Sequence, residues 1–257
     1  MTPREQYMAF MTIVRKEIKR YLRIWTQTLL PSAITMSLYF VIFGSLIGSR
    51  IGEMGGFTYM QFVVPGLIMM AIVTNSYSNV VSSFFGSKFN HSVAELLVSP
   101  IPNYVILMGY VVGGVTRGMF VAVVVTIVSL FFTELHIHSY FVVVVIVLMT
   151  STLFALAGFI NAVFANSFDD ISIIPTFVLT PLIYLGGVFY SMDLLPEFWA
   201  NVSKLNPLVY VVNAFRYGVL GVSDVSLTFA MGMITVFTAI AFTYSMHLLN
   251  SGKRLRQ

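Results

Sequence analysis

The chain has 257 residues, 58% of them hydrophobic and only 9% charged, with a net charge of +4 and a mean hydropathy of +0.88. A soluble domain of this length has no interior large enough for so much apolar surface, so the class is an integral membrane protein. The absence of cysteine excludes disulfides, thiol catalysis and zinc–thiolate sites.

Residues 1–25 read as an amphipathic helix. Tyr7, Phe10, Met11, Val14, Ile18, Tyr21, Leu22 and Trp25 recur at helical spacing, and Lys16, Lys19, Arg20 and Arg23 share another face. Such a helix suits the headgroup layer with its basic side toward anionic lipid; the alternative is a basic flank that only sets topology. Charges run throughout Met1 to Ile24 with no apolar core, so the segment does not read as a signal peptide.

An all-α domain over residues 26–250 follows, with six predicted spans: Thr26–Gly48, Thr58–Phe84, Tyr104–Phe132, Tyr140–Ala165, Ile171–Tyr190 and Thr228–Asn250. Residues 86–103 form the longest polar break, in which His91 to Val98 has the makings of a short helix stopped by Pro100 and Pro102. It is either a handle for a partner protein or a plain connector. Residues 251–257 form a basic tail. Arg4, Arg15, Lys16, Lys19, Arg20, Arg23, Lys88, Lys253, Arg254 and Arg256 fall on one side, against Arg50, Lys204 and Arg216 on the other. That bias places both termini in the cytoplasm.

Between the fifth and sixth spans, residues 191–222 cannot cross. Ser191 to Asn206 carries Asp193, Glu197, Asn201, Lys204 and Asn206, and Pro207 to Val222 is apolar but too short. The stretch is expected to form an outer helical hairpin that dips into the membrane under protein cover, with Pro196, Asn206, Pro207 and Arg216 as its candidate residues.

Two polar stripes stand out. Asn75, Asn79, Ser82 and Gly86 share a face of the second span; Ser172, Thr176, Thr180 and Tyr184 share a face of the fifth, which Pro175 and Pro181 interrupt. They line a translocation path or serve as hydrogen-bonding glue between helices. In the third span, Gly109, Gly113, Gly114 and Gly118 permit close helix approach, and Arg117 lies among them, needing a partner or an outlet to the headgroups.

No G-x-x-x-x-G-K-[ST], HExxH or G-x-S-x-G occurs. Glu134, His136 and His138 fit a solvated turn better than a metal site, and no catalytic, metal or nucleic-acid-binding feature is expected. The predicted spans hold no Asp or Glu, which leaves a proton- or ion-coupled carrier without its usual relay groups. A gradient-driven secondary transporter or channel, and a membrane-embedded enzyme or assembly factor, remain as alternatives.

The run PLIYLGGVFYSMDLLPEFWANVSKLNPLVYVVNAFRYGVLG, with YMQFVVPGLIMM and AELLVSPIP upstream, resembles bacterial ABC type-2 (ABC-2) exporter permeases over essentially the whole chain. The resemblance implies an inner-membrane half-transporter that forms a homodimer and binds two copies of a separate ATPase subunit. ATP and magnesium would be used by that partner, with no cofactor bound here. It further implies that Tyr7 to Trp25 is the family's connecting helix, and that His91 to Val98, with His91, Glu95, Leu96 and Leu97, is the helix that docks on the ATPase. The outer hairpin would close the exported substrate's path, and the second and fifth spans would meet across the dimer axis.

Overall fold

The structure, a computed structural model, describes residues 1–252; Lys253, Arg254 and Arg256 of the basic tail lie outside the described residues. Helix α1 (Pro3–Arg23) begins with a reciprocal cap in which the Thr2 hydroxyl accepts from the Glu5 N–H and the Glu5 carboxylate accepts from the Thr2 N–H. Its buried face is Ile13, Val14, Glu17 and Tyr21. A one-turn helix α2 (Trp25–Thr28) leads into α3 (Leu30–Phe40), a π-helical segment over Val41–Ile47 and α4 (Gly48–Ile51). Together these make the first long apolar segment, Trp25–Ile51.

The one departure from all-helical structure among the described residues is a small antiparallel ribbon, β1 (Glu53–Met54) against β2 (Phe57–Thr58). Gly55 and Gly56 turn it, both with positive φ, a geometry that glycine adopts without strain. Helix α5 (Tyr59–Phe89) follows, capped by Thr58 and Gln61. It then gives way through His91, in a left-handed conformation, to the short α6 (Ser92–Val98) and to α7 (Asn103–Ser129) and α8 (Tyr140–Phe164). α5 runs five residues past the predicted boundary at Phe84, so the sequence GSKF is helix, not loop.

The fifth segment is shorter and less regular than expected. It consists of α9 (Asp170–Ile174), a π-helical turn over Pro175–Leu179 and α10 (Thr180–Tyr184), and its helix ends at Tyr184 instead of Tyr190. Pro175 and Pro181 remove backbone donors here, and the Pro175 carbonyl accepts both the Thr180 N–H, in the π-helical pattern, and the Thr180 hydroxyl at 2.9 Å. A 3₁₀ turn over Met192–Leu194, α11 (Glu197–Ser203) and α12 (Pro207–Leu220) make up the hairpin, and α13 (Leu227–Ser251) closes the chain. Among the described residues, five helices are long and apolar enough to cross a membrane.

α5 is the axis of the bundle. Its most apolar stretch is 83% buried, against 12% for Trp25–Ile51 and 11% for α13, so the other helices wrap it and these two stand at the periphery. The glycines of α7 allow this packing on two sides. A Cβ at Gly109 would lie 2.6 Å from Ile13, and one at Gly113 would lie 2.5 Å from the Glu17 Cβ; both face α1. Gly114 faces Val80 and Ala155, and Gly118 faces Ser76 and Ser151, on α5 and α8. Tyr104, Gly109 and Gly113 meet Gln6, Ile13 and Glu17 in turn, so α1 and the start of α7 run side by side in the same direction.

Replacing Gly113 by valine is expected to overpack the α1–α7 contact and cost about 1–3 kcal/mol. Gly232→Ala, on an open face of α13 with nothing within 4 Å, is expected to be neutral or mildly stabilising. Thermal unfolding in detergent, followed by size exclusion, distinguishes the two; equal melting temperatures would contradict the packing.

Candidate functional site

Three places collect the residues singled out from the sequence: a polar layer inside the bundle, the α5–α6–α7 turn, and the hairpin.

In the polar layer, Arg117 on α7 donates to the Asn75 side-chain oxygen at 2.8 Å and to the Thr28 carbonyl at 3.1 Å. Asn75 in turn donates to the Ser32 hydroxyl and the Ala71 carbonyl, both at 2.9 Å. A central arginine costs ~2.5–3.5 kcal/mol on insertion scales, and this one meets that cost by pairing inside the protein. One turn toward α1, Arg20 donates to Glu17 at 3.3 Å, to the carbonyl and side-chain oxygens of Asn79, both at 2.9 Å, and to the Ser82 hydroxyl at 3.4 Å. Glu17 is wholly buried and also accepts from the Ser83 hydroxyl at 2.5 Å. α1 is therefore bonded to α5, and Arg20, assigned by its spacing to the basic outer face, turns inward; Lys16, Lys19 and Arg23 stay exposed.

The predicted stripe on α5 divides. Asn75 and Asn79 are buried within the protomer as interhelical hydrogen-bond partners, whereas Ser82 is exposed. The polar positions open on that side of α5 are Thr74, Ser78 and Ser82, displaced by the ~100° that one residue turns on a helix. On the fifth segment Thr176 is exposed and Thr180 half-buried. Exposed Tyr184 stacks on Phe189 at 5.7 Å, and Phe189 stacks on Phe43 of the first span at 4.7 Å.

At the α5–α6–α7 turn, His91 and Glu95 are exposed. Leu96 and Leu97 are half-buried and pack against the core, so they seat α6 on the bundle. The Ser92 hydroxyl donates to the Ser87 carbonyl, and the Tyr110 hydroxyl to the Ser87 hydroxyl. The Lys88 ammonium donates to the carbonyls of Val163 and Ala165, both at 2.8 Å, which fixes the end of α5 to the C-terminus of α8. Val98, at the tip, is 85% exposed.

In the hairpin, exposed Pro196 precedes α11, and Pro207 opens α12, where its missing N–H is no loss. Asn206 is buried; its side-chain oxygen accepts from the Leu208 N–H at 2.9 Å while its amide donates to the Leu182 carbonyl at 2.6 Å. Pro207 shares an apolar cavity of about 360 Å³ with Leu153 and Phe154, midway along α8. At the other end of α12, the carbonyls of Val219 and Gly218 accept from the N–H groups of His138 and Ser139. Asp224 accepts from the Met192 N–H at 2.8 Å and the Ser191 hydroxyl at 3.0 Å, and its own N–H donates to Asn213. Arg216 is wholly buried, 3.8 Å above the Phe62 ring, and donates to the Gly187 carbonyl at 2.6 Å. A cation over a desolvated aromatic face is worth about 2 kcal/mol. Beside it, Gly66 of α5 admits the Val188 backbone, which a Cβ would meet at 2.6 Å, and the Tyr59 hydroxyl donates to the Phe189 carbonyl.

Glu17, Lys88, Asn213 and Asp224 were not singled out from the sequence. For Glu17 the signal was present: it is an acid on a basic helix, four residues from both Ile13 and Tyr21, and hence on their face.

The profile of the ABC-2 type transporter family matches residues 8–220. Inner membrane transport permease YadH of Escherichia coli (strain K12) is 56% identical over 250 residues, covering 97% of this chain and 98% of that protein. Nodulation protein J of Neorhizobium galegae is 22% identical over 249 residues, 96% of this chain and 94% of that protein. The protein of the same name from Rhizobium leguminosarum bv. viciae is 22% identical over 213 residues, 82% of each.

In the polar layer, Asn75→Leu strips Arg117 of a buried partner and is expected to cost about 3–5 kcal/mol. Combining it with Arg117→Met is expected to recover part of the loss, with a coupling of about 0.5–3 kcal/mol. A denaturant double-mutant cycle in detergent measures this; strictly additive effects would contradict the pairing.

Proposed function

The chain belongs to the ABC-2 type transporter family, and from that premise we propose that it is the permease subunit of an ATP-driven exporter of the bacterial inner membrane, working as a homodimer with a separate ATPase. The observation that carries this reading is α6: a short helix held rigidly between the ends of two long ones, with Glu95 and the apolar Val98 left open at its tip. Such an element suits a docking partner. The sequence has no P-loop, so ATP and magnesium belong to that partner. The Lys and Arg bias supports cytoplasmic termini and a cytoplasmic α6.

In this reading the fifth segment, α9 to α10, completes six spans. The hairpin is re-entrant, because Pro207 reaches the level of Leu153 while Leu220 returns beside the loop before α8. Such irregular backbone persists at membrane depth only under protein cover, and α12 has that cover. A second copy facing α5 and the fifth segment would enclose the hydroxyls of Thr74, Ser78, Ser82, Ser172 and Thr176, which lines a path without buried charge.

The cycle follows from the connections. ATP binding draws the two ATPases together and moves α6. α5, a continuous helix with α6 at one end and the hairpin's seat at Tyr59, Phe62 and Gly66 at the other, carries that motion outward. Residues 191–222 then open or close the outer end. α1, bonded to α5 through Glu17 and Arg20, moves with it.

A tagged chain purified gently from native membranes is expected to bring down a P-loop ATPase at equal stoichiometry. Glu95→Lys is expected to weaken that capture about tenfold, corresponding to ~1.4 kcal/mol at the contact, while the permease still folds. Full retention would remove Glu95 from the contact, and no ATPase even after crosslinking would overturn the exporter reading.

A further inference from the structure

Of the buried charges, Arg216 is the least compensated. It has one carbonyl acceptor, at Gly187, and the ring of Phe62. Among the described residues its Nε and one terminal nitrogen have no hydrogen-bond acceptor, whereas Arg117 and Arg20 each leave a buried Nε alone without one. Arg117 has two acceptors and Arg20 has four. Among the described residues no carboxylate forms an ion pair with Arg216, and the oxygens of Asp224 are already engaged by Ser191 and Met192. A guanidinium in this state gains free energy when water reaches it.

Everything it touches belongs to one joint. Gly187 lies in the turn that leads into the hairpin, Arg216 sits on its returning limb, and Phe62 lies on α5, one helical turn from the Gly66–Val188 approach. Parting the hairpin from α5 is the motion that would hydrate the guanidinium.

We infer that Arg216 is the release element of the outer closure: it seats α12 on α5 through Phe62 and on the turn before the hairpin through Gly187, and its incomplete solvation biases the contact with α5 toward opening. This rests on the reading of residues 191–222 as the closure. A bistable joint needs two states of similar free energy, and a half-satisfied buried charge supplies the term that lifts the closed one. A residue of similar length and no charge holds the joint shut, whereas loss of a simple clamp would loosen it. The two roles therefore predict opposite signs.

The chain has no cysteine, so Val188→Cys introduces a single thiol at the buried contact with Gly66. Its alkylation rate by a maleimide, measured on the permease alone in nanodiscs, reports parting of the joint and does not depend on the ATPase. Adding Arg216→Met is expected to slow labelling about tenfold, equivalent to ~1.4 kcal/mol in the opening equilibrium. Adding Phe62→Leu, which leaves the arginine less compensated, is expected to speed it. An unchanged or faster rate with Arg216→Met overturns the inference. Should that variant fail to fold, Arg216→Gln, which is uncharged and can still donate to the Gly187 carbonyl, takes its place, and an unchanged or faster rate with it overturns the inference.

Discussion

Inside a bilayer no water is available to satisfy a polar group, so each one must find its partner in the protein. The structure follows from that demand more than from any drive to bury apolar surface, since lipid is as apolar as leucine. α12 illustrates it. It is too short to cross, and most of it is buried. It persists because Asn206 caps its first turn and the N–H groups of His138 and Ser139 reach its last carbonyls. Arg117 and Arg20 obey the same demand: Arg117 takes its acceptors from α2 and α5, and Arg20 takes one from its own helix and the rest from α5.

That demand also explains the position of α5. A helix that supplies Asn75, Asn79, Ser82 and Ser83 as partners, and Gly66 as a seat, must be reachable from all sides. α7 meets it through Gly114 and Gly118, α1 through Glu17 and Arg20, and the hairpin through Val188 and Arg216. The first span and α13 supply few such groups and stay outside.

The long apolar runs and the polar interruption at residues 191–206 were legible in the sequence, because length and polar content alone set them. The family resemblance was legible in the same stretch. What could not be read was facing. A helical period groups Asn75 with Asn79 but does not say whether that stripe or Thr74–Ser78 is open, and only the packing of α7 and α1 decides. The inward turn of Arg20 was hidden for the same reason. The extension of α5 to Phe89 was hidden because Ser87 and Lys88 look like loop residues until Tyr110 and the end of α8 receive their side chains. The π-helical turn at Pro175–Leu179 was legible only as an interruption, since two prolines announce missing donors without specifying how the chain compensates.

The charges then divide the protomer into fixed and movable parts. In the half of α5 nearer α6, Arg20, Glu17 and Asn79, with Arg117 and Asn75, make a cross-braced layer in which removal of one member strands another, so α1, α5 and α7 behave as one body. At the other end of α5, α12 meets it through the Arg216 cation over the Phe62 ring, the turn before the hairpin meets it through the Tyr59 hydroxyl and the Gly66–Val188 approach, and Arg216 ties α12 to that turn at the Gly187 carbonyl. On the proposed reading, a force applied at α6 would pass through the braced layer and be released at the Arg216 joint, where separation would expose a charge that water stabilises. The proposed opening would then need no flexible linker, because the difference in compensation between Arg117 and Arg216 favours release at the hairpin end of α5.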